Sequence, residues 1–147
     1  MQRNRTIFAA ILATPLLLAG CGSVPERDYQ ALLQSGLPDC PDSPNCVKTG
    51  AESDSHRVAD FQLEGDWPEQ KQAIIAAATS MDRTELVEEK PYYLRFEVTS
   101  LLMRFVDDLE VLYRPEHGLD VRSASRVGHS DFGVNRERVE ALRAKLN

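Results

Sequence analysis

Tyr92-Tyr93-Leu94-Arg95-Phe96-Glu97-Val98-Thr99 alternates through most of its length between apolar and polar side chains. Tyr92, Leu94, Phe96 and Val98 share one side of an extended chain, while Tyr93, Arg95, Glu97 and Thr99 share the other. That is the pattern of a strand with one face in a core. The same period governs the neighbouring runs. Residues 84–89 alternate before it, and residues 106–113 set Leu109, Val111 and Tyr113 against Asp108, Glu110 and Leu112. Arg114-Pro115-Glu116-His117-Gly118 reads as a turn, and residues 119–125 as the returning strand. Short links between such runs imply an antiparallel sheet of about four strands.

Helices flank this core. Asp66 followed by Glu69 forms a capping box, with Pro68 in the first turn. Trp67, Ile74, Ile75 and Ala78 fall on one side, and the stem of Lys71 covers the gap between them. Ala73, Ala76 and Ala77 favour the helix without adding much to that stripe, which runs to about Ser80. The chain ends in a helix over 135–145, with Val139, Leu142 and Leu146 on one face and Arg136, Glu137, Glu140 and Arg143 facing water. Helices before and after the sheet can pack on one side of it, which predicts a two-layer α+β domain. Residues 47–56 are polar and unpatterned and read as irregular.

The 147 residues, 42% apolar and 27% charged, suit one domain with its own core. The net charge of −6 leaves no basic face for nucleic acid. Residues 1–20 do not read as fold. Arg3 and Arg5 precede a charge-free apolar run of about a dozen residues, too short to span a bilayer and interrupted by Pro15. The run ends in Leu18-Ala19-Gly20-Cys21, which resembles the lipobox of bacterial lipoproteins. The resemblance implies cleavage before Cys21 and acylation of its sulfur. Residues 1–20 are then a signal peptide, 21–37 a lipidated tether with a short helix over 28–34, and 38–147 a single domain. Removing Arg3 and Arg5 takes the basic count from 17 to 15 against 23 acids, a mature charge of −8. Gly22, where an Asp would retain a lipoprotein at the inner membrane, leans the expectation toward the outer membrane.

With Cys21 acylated, Cys40 and Cys46 remain in an oxidising compartment. The turn formers of Cys40-Pro41-Asp42-Ser43-Pro44-Asn45-Cys46 can bring the sulfurs together. A structural disulfide is favoured over zinc, which would need further ligands, and over a redox pair, which would need a Cys-x-x-Cys at a helix start.

The densest polar stretch runs from Arg122 to Arg136, across Gly128 and Gly133. On a strand Arg122, Ala124 and Arg126 point one way, and Val121, Ser123 and Ser125 the other. Three readings compete. Ser123 or Ser125 with His129 and Asp131 can compose a hydrolytic triad, though no Gly-x-Ser-x-Gly elbow exposes the serine. Arg122, Arg126 and Arg136 can cup a small anion at the start of the last helix, with Asp107 and Asp108 orienting them. In the third reading the arginines pair with Asp107, Asp108 and Asp131, and Asn135 or Asp131 caps the helix. His56 and His117 stand in loops with no second ligand at metal spacing.

The block Cys40 to Val47, the run Phe105-Val106-Asp107-Asp108 and the stretch Val121 to Arg138 together resemble the DUF1499 family, from about Leu37 to the C-terminus. The resemblance implies association with membranes and carries no established activity. It also implies an aromatic at the position of His129 as readily as a histidine, which counts against a triad. The expected role is thus an envelope lipoprotein facing the periplasm, anchored in the membrane. Its domain would bind an envelope protein or small anionic ligand, or serve structurally, without metal or cofactor. The alternative is an envelope hydrolase built on Ser125, His129 and Asp131.

Overall fold

The computed structural model describes residues 27–147; the expected leader and the expected lipidation at Cys21 fall outside them. In chain order the elements are α1 (Tyr29–Ser35), β1 (Cys46–Thr49), β2 (Arg57–Val58), α2 (Trp67–Thr79), β3 (Thr84–Lys90), β4 (Tyr93–Thr99), β5 (Val106–Arg114), β6 (Gly118–Ser125) and α3 (Val134–Leu146). The class is α+β. The sheet, however, has six strands in the order β2-β1-β6-β5-β4-β3 and is mixed, not an antiparallel sheet of four. β3 to β6 form the antiparallel meander that the alternation predicts. The additions lie at the two ends of the stretch 47–56 read as irregular: β1 runs from the cysteine block into it, and β2 follows it. β1 pairs antiparallel with β6, and the two-residue β2 pairs parallel with β1. Cys46-Val47-Lys48-Thr49 is buried throughout, so no alternation marks it. The return from β1 to β2 is held by Arg57, whose guanidinium donates to the carbonyls of Ala51 and Glu52.

One face of the sheet carries the main core. Leu94, Phe96, Leu109, Val111 and Val121 meet Ile74 and Ala78 of α2 and Val139 and Leu142 of α3. Asp66 caps α2 by accepting from Glu69 N–H, as the box predicts. Lys71 lays its stem beside the sheet and reaches Glu89 at 2.7 Å. The stripe is rotated slightly from expectation, with Ala77 buried and Ile75 only partly so. Trp67 stacks on Tyr113 at a centroid distance of 4.8 Å and donates its indole N–H to Pro91 O.

The other face is covered as well. Tyr93 and Leu112, on the nominally polar side of their strands, are fully buried against Leu32 and Leu37. The helix predicted over 28–34 forms, with the Asp28 side chain accepting from Gln30 and Ala31 N–H. It does not belong to a free tether, because residues 27–37 are part of the packed body. Gly36 turns the chain at φ 84°, so close to Arg114 and Asp120 that a Cβ there would lie 2.9 Å from both side chains. Leu37 N–H then donates to Asp120 Oδ2 at 2.8 Å. Residues 27–46 thus form a strap that crosses the second face and returns to β1.

Candidate functional site

Under the strap lies a ladder of buried charge. Glu110, at mid-β5, has no exposed surface. Its Oε1 accepts from Tyr93 Oη at 2.8 Å and Arg27 Nε at 3.0 Å, and its Oε2 from Arg122 Nη1 at 2.9 Å and Arg27 Nη2 at 3.2 Å. Toward the start of β5, Asp108 accepts both prongs of Arg126, Nε and Nη2, at 2.8 Å each. Arg126 also reaches Glu97, and Arg95 links Asp108, Glu97 and Glu88. The forked bond from Asp108 raises Arg126 above the usual guanidinium range, against the opposing effect of burial. Burial first, and then the charge of Glu110, pushes the Tyr93 phenol far above its ordinary value, so it serves only as a neutral donor. Burial alone would lower Arg27, but its bonds to Glu110 outweigh that and raise it.

On the other face, where β6 gives way to α3, a second polar cluster closes. Asn135 is fully buried. Its Nδ2 donates to Asn45 O, Ser125 Oγ and Asp131 Oδ2, while its Oδ1 accepts from Ser123 Oγ and Arg138. Arg138 continues to Asp107 at 2.7 Å. Asp131 accepts from the backbone N–H of Gly133 and Asn135 and so caps α3 from outside the helix. Partial burial opposes the charge on Asp131, but those two N–H groups and the Asn135 amide prevail and hold its carboxyl below the usual range.

The residues singled out from sequence therefore separate. Arg122 and Arg126 share the strap-covered face, each facing a protein carboxylate. Arg136 is elsewhere and donates to Ser55 O and Arg57 O. Together with Arg143, which lies over the Phe61 ring and donates to Ala59 and Asp60, it grips the segment before α2 instead of facing water. Asp107 and Asp108 point to opposite faces, toward Arg138 and Arg126 respectively. Ser125 accepts from Asn135, and His129 is exposed, with no hydrogen bond to Ser125 or Asp131 among the described residues. Cys40 and Cys46 form a disulfide, Cα–Cα 5.6 Å, that fastens the end of the strap to β1. Asp39 adds an ion pair to Lys48 at 3.2 Å. His117 borders a cleft of about 510 Å³ with Tyr113, Arg114, Thr49 and Asp120, at the β5–β6 turn. Both oxygens of Asp120 are already engaged there, by Thr49 Oγ1 and Leu37 N–H. Among the described residues no group of three His, Cys, Asp or Glu side chains is placed to hold a metal.

Glu110, Arg27, Tyr93 and Arg138 were not picked out from sequence. The available signal was the pair Tyr93 and Leu112, two large apolar residues on the face otherwise read as solvated. They show that something covers that face, and hence that Glu110, two residues from Leu112 on the same side of β5, is buried and needs cations.

A mixed six-stranded sheet with two helices on one face, a disulfide-fastened strap on the other and closed ion-pair networks defines a small α+β domain held together by internal charge. The chain belongs to the DUF1499 family, a family of proteins of unknown function, whose model matches residues 36–146. No curated protein is significantly similar to it.

Proposed function

We propose that the protein is a lipid-anchored module of the bacterial cell envelope, facing the periplasm, which acts by binding or by structural support and not by hydrolysis. The observation that carries the placement is the Cys40–Cys46 disulfide. Such bridges persist in oxidising compartments outside the cytosol, where an export leader ending at Cys21 would deliver the chain. Acyl chains stabilise membrane attachment by about 0.8 kcal/mol per buried methylene, so two or three on one sulfur hold firmly.

Binding is favoured over hydrolysis by the arrangement of the hydroxyl cluster. A serine nucleophile needs a base within hydrogen-bond reach. Ser125 instead faces the buried Asn135 amide, and the Asp131 carboxylate is taken up as a helix cap. A free anion at Arg122 or Arg126 would have to displace Glu110 or Asp108, so the arginines serve the fold. The test is metabolic labelling with palmitate. Label in the parent chain and none in Cys21→Ser is the expected result; an unlabelled, freely soluble parent chain would overturn the reading.

A further inference from the structure

Seven of the nine large apolar side chains exposed among the described residues gather at one end of the sheet. Leu101, Leu102, Met103 and Phe105 occupy the link between β4 and β5, and Val127, Phe132 and Val134 the segment leading from β6 into α3. Leu102 is 87% and Phe132 95% exposed. The two segments leave the same end: Ser100 N–H donates to Phe105 O, and Arg126 N–H to Val106 O, where β5 begins. A patch of this kind on a small domain marks a contact surface. Arg104 stands among these side chains at φ 57° and makes no ion pair or side-chain hydrogen bond among the described residues. Arg27, Arg95, Arg122, Arg126 and Arg138 are all paired.

The entry of the chain points to what covers the patch. Arg27 is clamped on Glu110, four residues along β5 from Val106, so it lies about 14 Å from this end at strand rise. From Arg27 the chain runs away from the patch, since Tyr29 Oη accepts from Tyr92 N–H and Gly36 lies against Arg114. Cys21 precedes Arg27 by six residues, a reach of up to about 20 Å. A bilayer holding the acyl chains of Cys21 is therefore within range of the patch. The mature charge of −8 keeps the rest of the body off an anionic surface, while Arg104 suits its phosphates.

We propose that this end of the domain is seated in the same bilayer that holds the Cys21 anchor, a step that rests on the lipoprotein reading above. Leu101, Leu102, Met103 and Phe132 enter the interface, and Arg104 lies at the headgroup phosphates. The β5–β6 turn with Glu116 and the cleft beside it then face the periplasm. No helix among the described residues is long and apolar enough to cross a membrane, so the seat is interfacial.

The experiment uses the full chain carrying Leu102→Cys or, at the opposite end, Glu116→Cys, labelled with a thiol-specific polarity-sensitive fluorophore. The protein is purified and reconstituted in phosphatidylethanolamine–phosphatidylglycerol vesicles. Acylation of Cys21 and the disulfide leave only the introduced thiol free, so label uptake by the parent chain reports separately whether Cys21 is bare. With Cys21 acylated, the label at 102 should shift to the blue and be quenched by lipid-borne nitroxides, while that at 116 stays water-like. A water-like label at 102, or one shielded by a second copy or another protein without lipid quenching, overturns the proposal. With Cys21 bare the anchor reading fails but the seat is still tested. In that case, with no acyl chain to hold the protein, partitioning of the purified parent onto the same vesicles should fall on the order of tenfold for each of Leu101→Ser and Leu102→Ser. A parent with bare Cys21 that does not sediment with vesicles overturns it.

Discussion

Glu110→Ala removes the acceptor at the centre of the strap-covered face. Four hydrogen bonds end on this carboxylate, from Arg27, Arg122 and Tyr93. Their donors fare differently without it. Arg27, with 21% of its side chain exposed, can swing to water, but Arg122 is 11% exposed and Tyr93 is fully buried. Arg122 Nε already lacks a partner, so the loss of Glu110 leaves a buried guanidinium with almost no acceptor. Breaking a buried pair in this way costs about 3–5 kcal/mol, a large share of the roughly 5–15 kcal/mol that holds a domain together. Arg27→Ala removes a pair that water can partly replace and should cost about 1 kcal/mol. Urea unfolding followed by the fluorescence of Trp67, the single tryptophan, reads both values. At a slope of about 2 kcal/mol per molar, Glu110→Ala should lower the midpoint by about 2 M. The double variant with Arg122→Ala should show a coupling of at least about 1 kcal/mol. A cost below about 1 kcal/mol for Glu110→Ala, the worth of an exposed pair, would refute the claim that this carboxylate is buried and holds the strap.

Gly36→Ala should destabilise by about 1–3 kcal/mol in the same titration, since its backbone conformation is open only to glycine and its neighbours leave no room. Reduction of the disulfide should add two hydrogens to the intact mass and, through the reopened loop, lower stability by about 2 kcal/mol. Asp131→Ala should cost about 1 kcal/mol at neutral pH through loss of the α3 cap. Because the folded carboxyl sits below its unfolded value, that stabilisation is present above about pH 4 and is lost as pH falls through the folded value. The gap between Asp131→Ala and the parent should therefore narrow as pH falls below about 4, and a gap that does not change with pH would remove the carboxylate from the cap. Ser125→Ala, which leaves Asn135 with its other partners, should change stability by under about 1 kcal/mol.

Several elements were legible in the chain because the forces that form them are local. The alternation around Leu94 and Phe96, the Asp66 and Glu69 box and the stripe of Val139 and Leu142 depend on neighbours within one or two turns, and each appears where its pattern lies. The cysteines could be paired for the same reason, being separated by one short loop. β1 and β2 were not legible. A strand buried on both faces has no period to show, and a pair of residues is strand only because β1 lies beside it.

The acidic balance and the meander are properties of the sequence by itself, since composition and short-range periodicity suffice to specify them. The tertiary structure alone decided which arginine meets which acid. Arg126 could have faced Asp107 or Asp108 with equal sequence logic, and register across β5 and β6 chose Asp108 while α3 brought Arg138 to Asp107. It also decided that Glu110 is buried, because the strap that covers it comes from 83 residues earlier in the chain. Charges separated so far in sequence meet only after the backbone has folded, and no local pattern records the meeting.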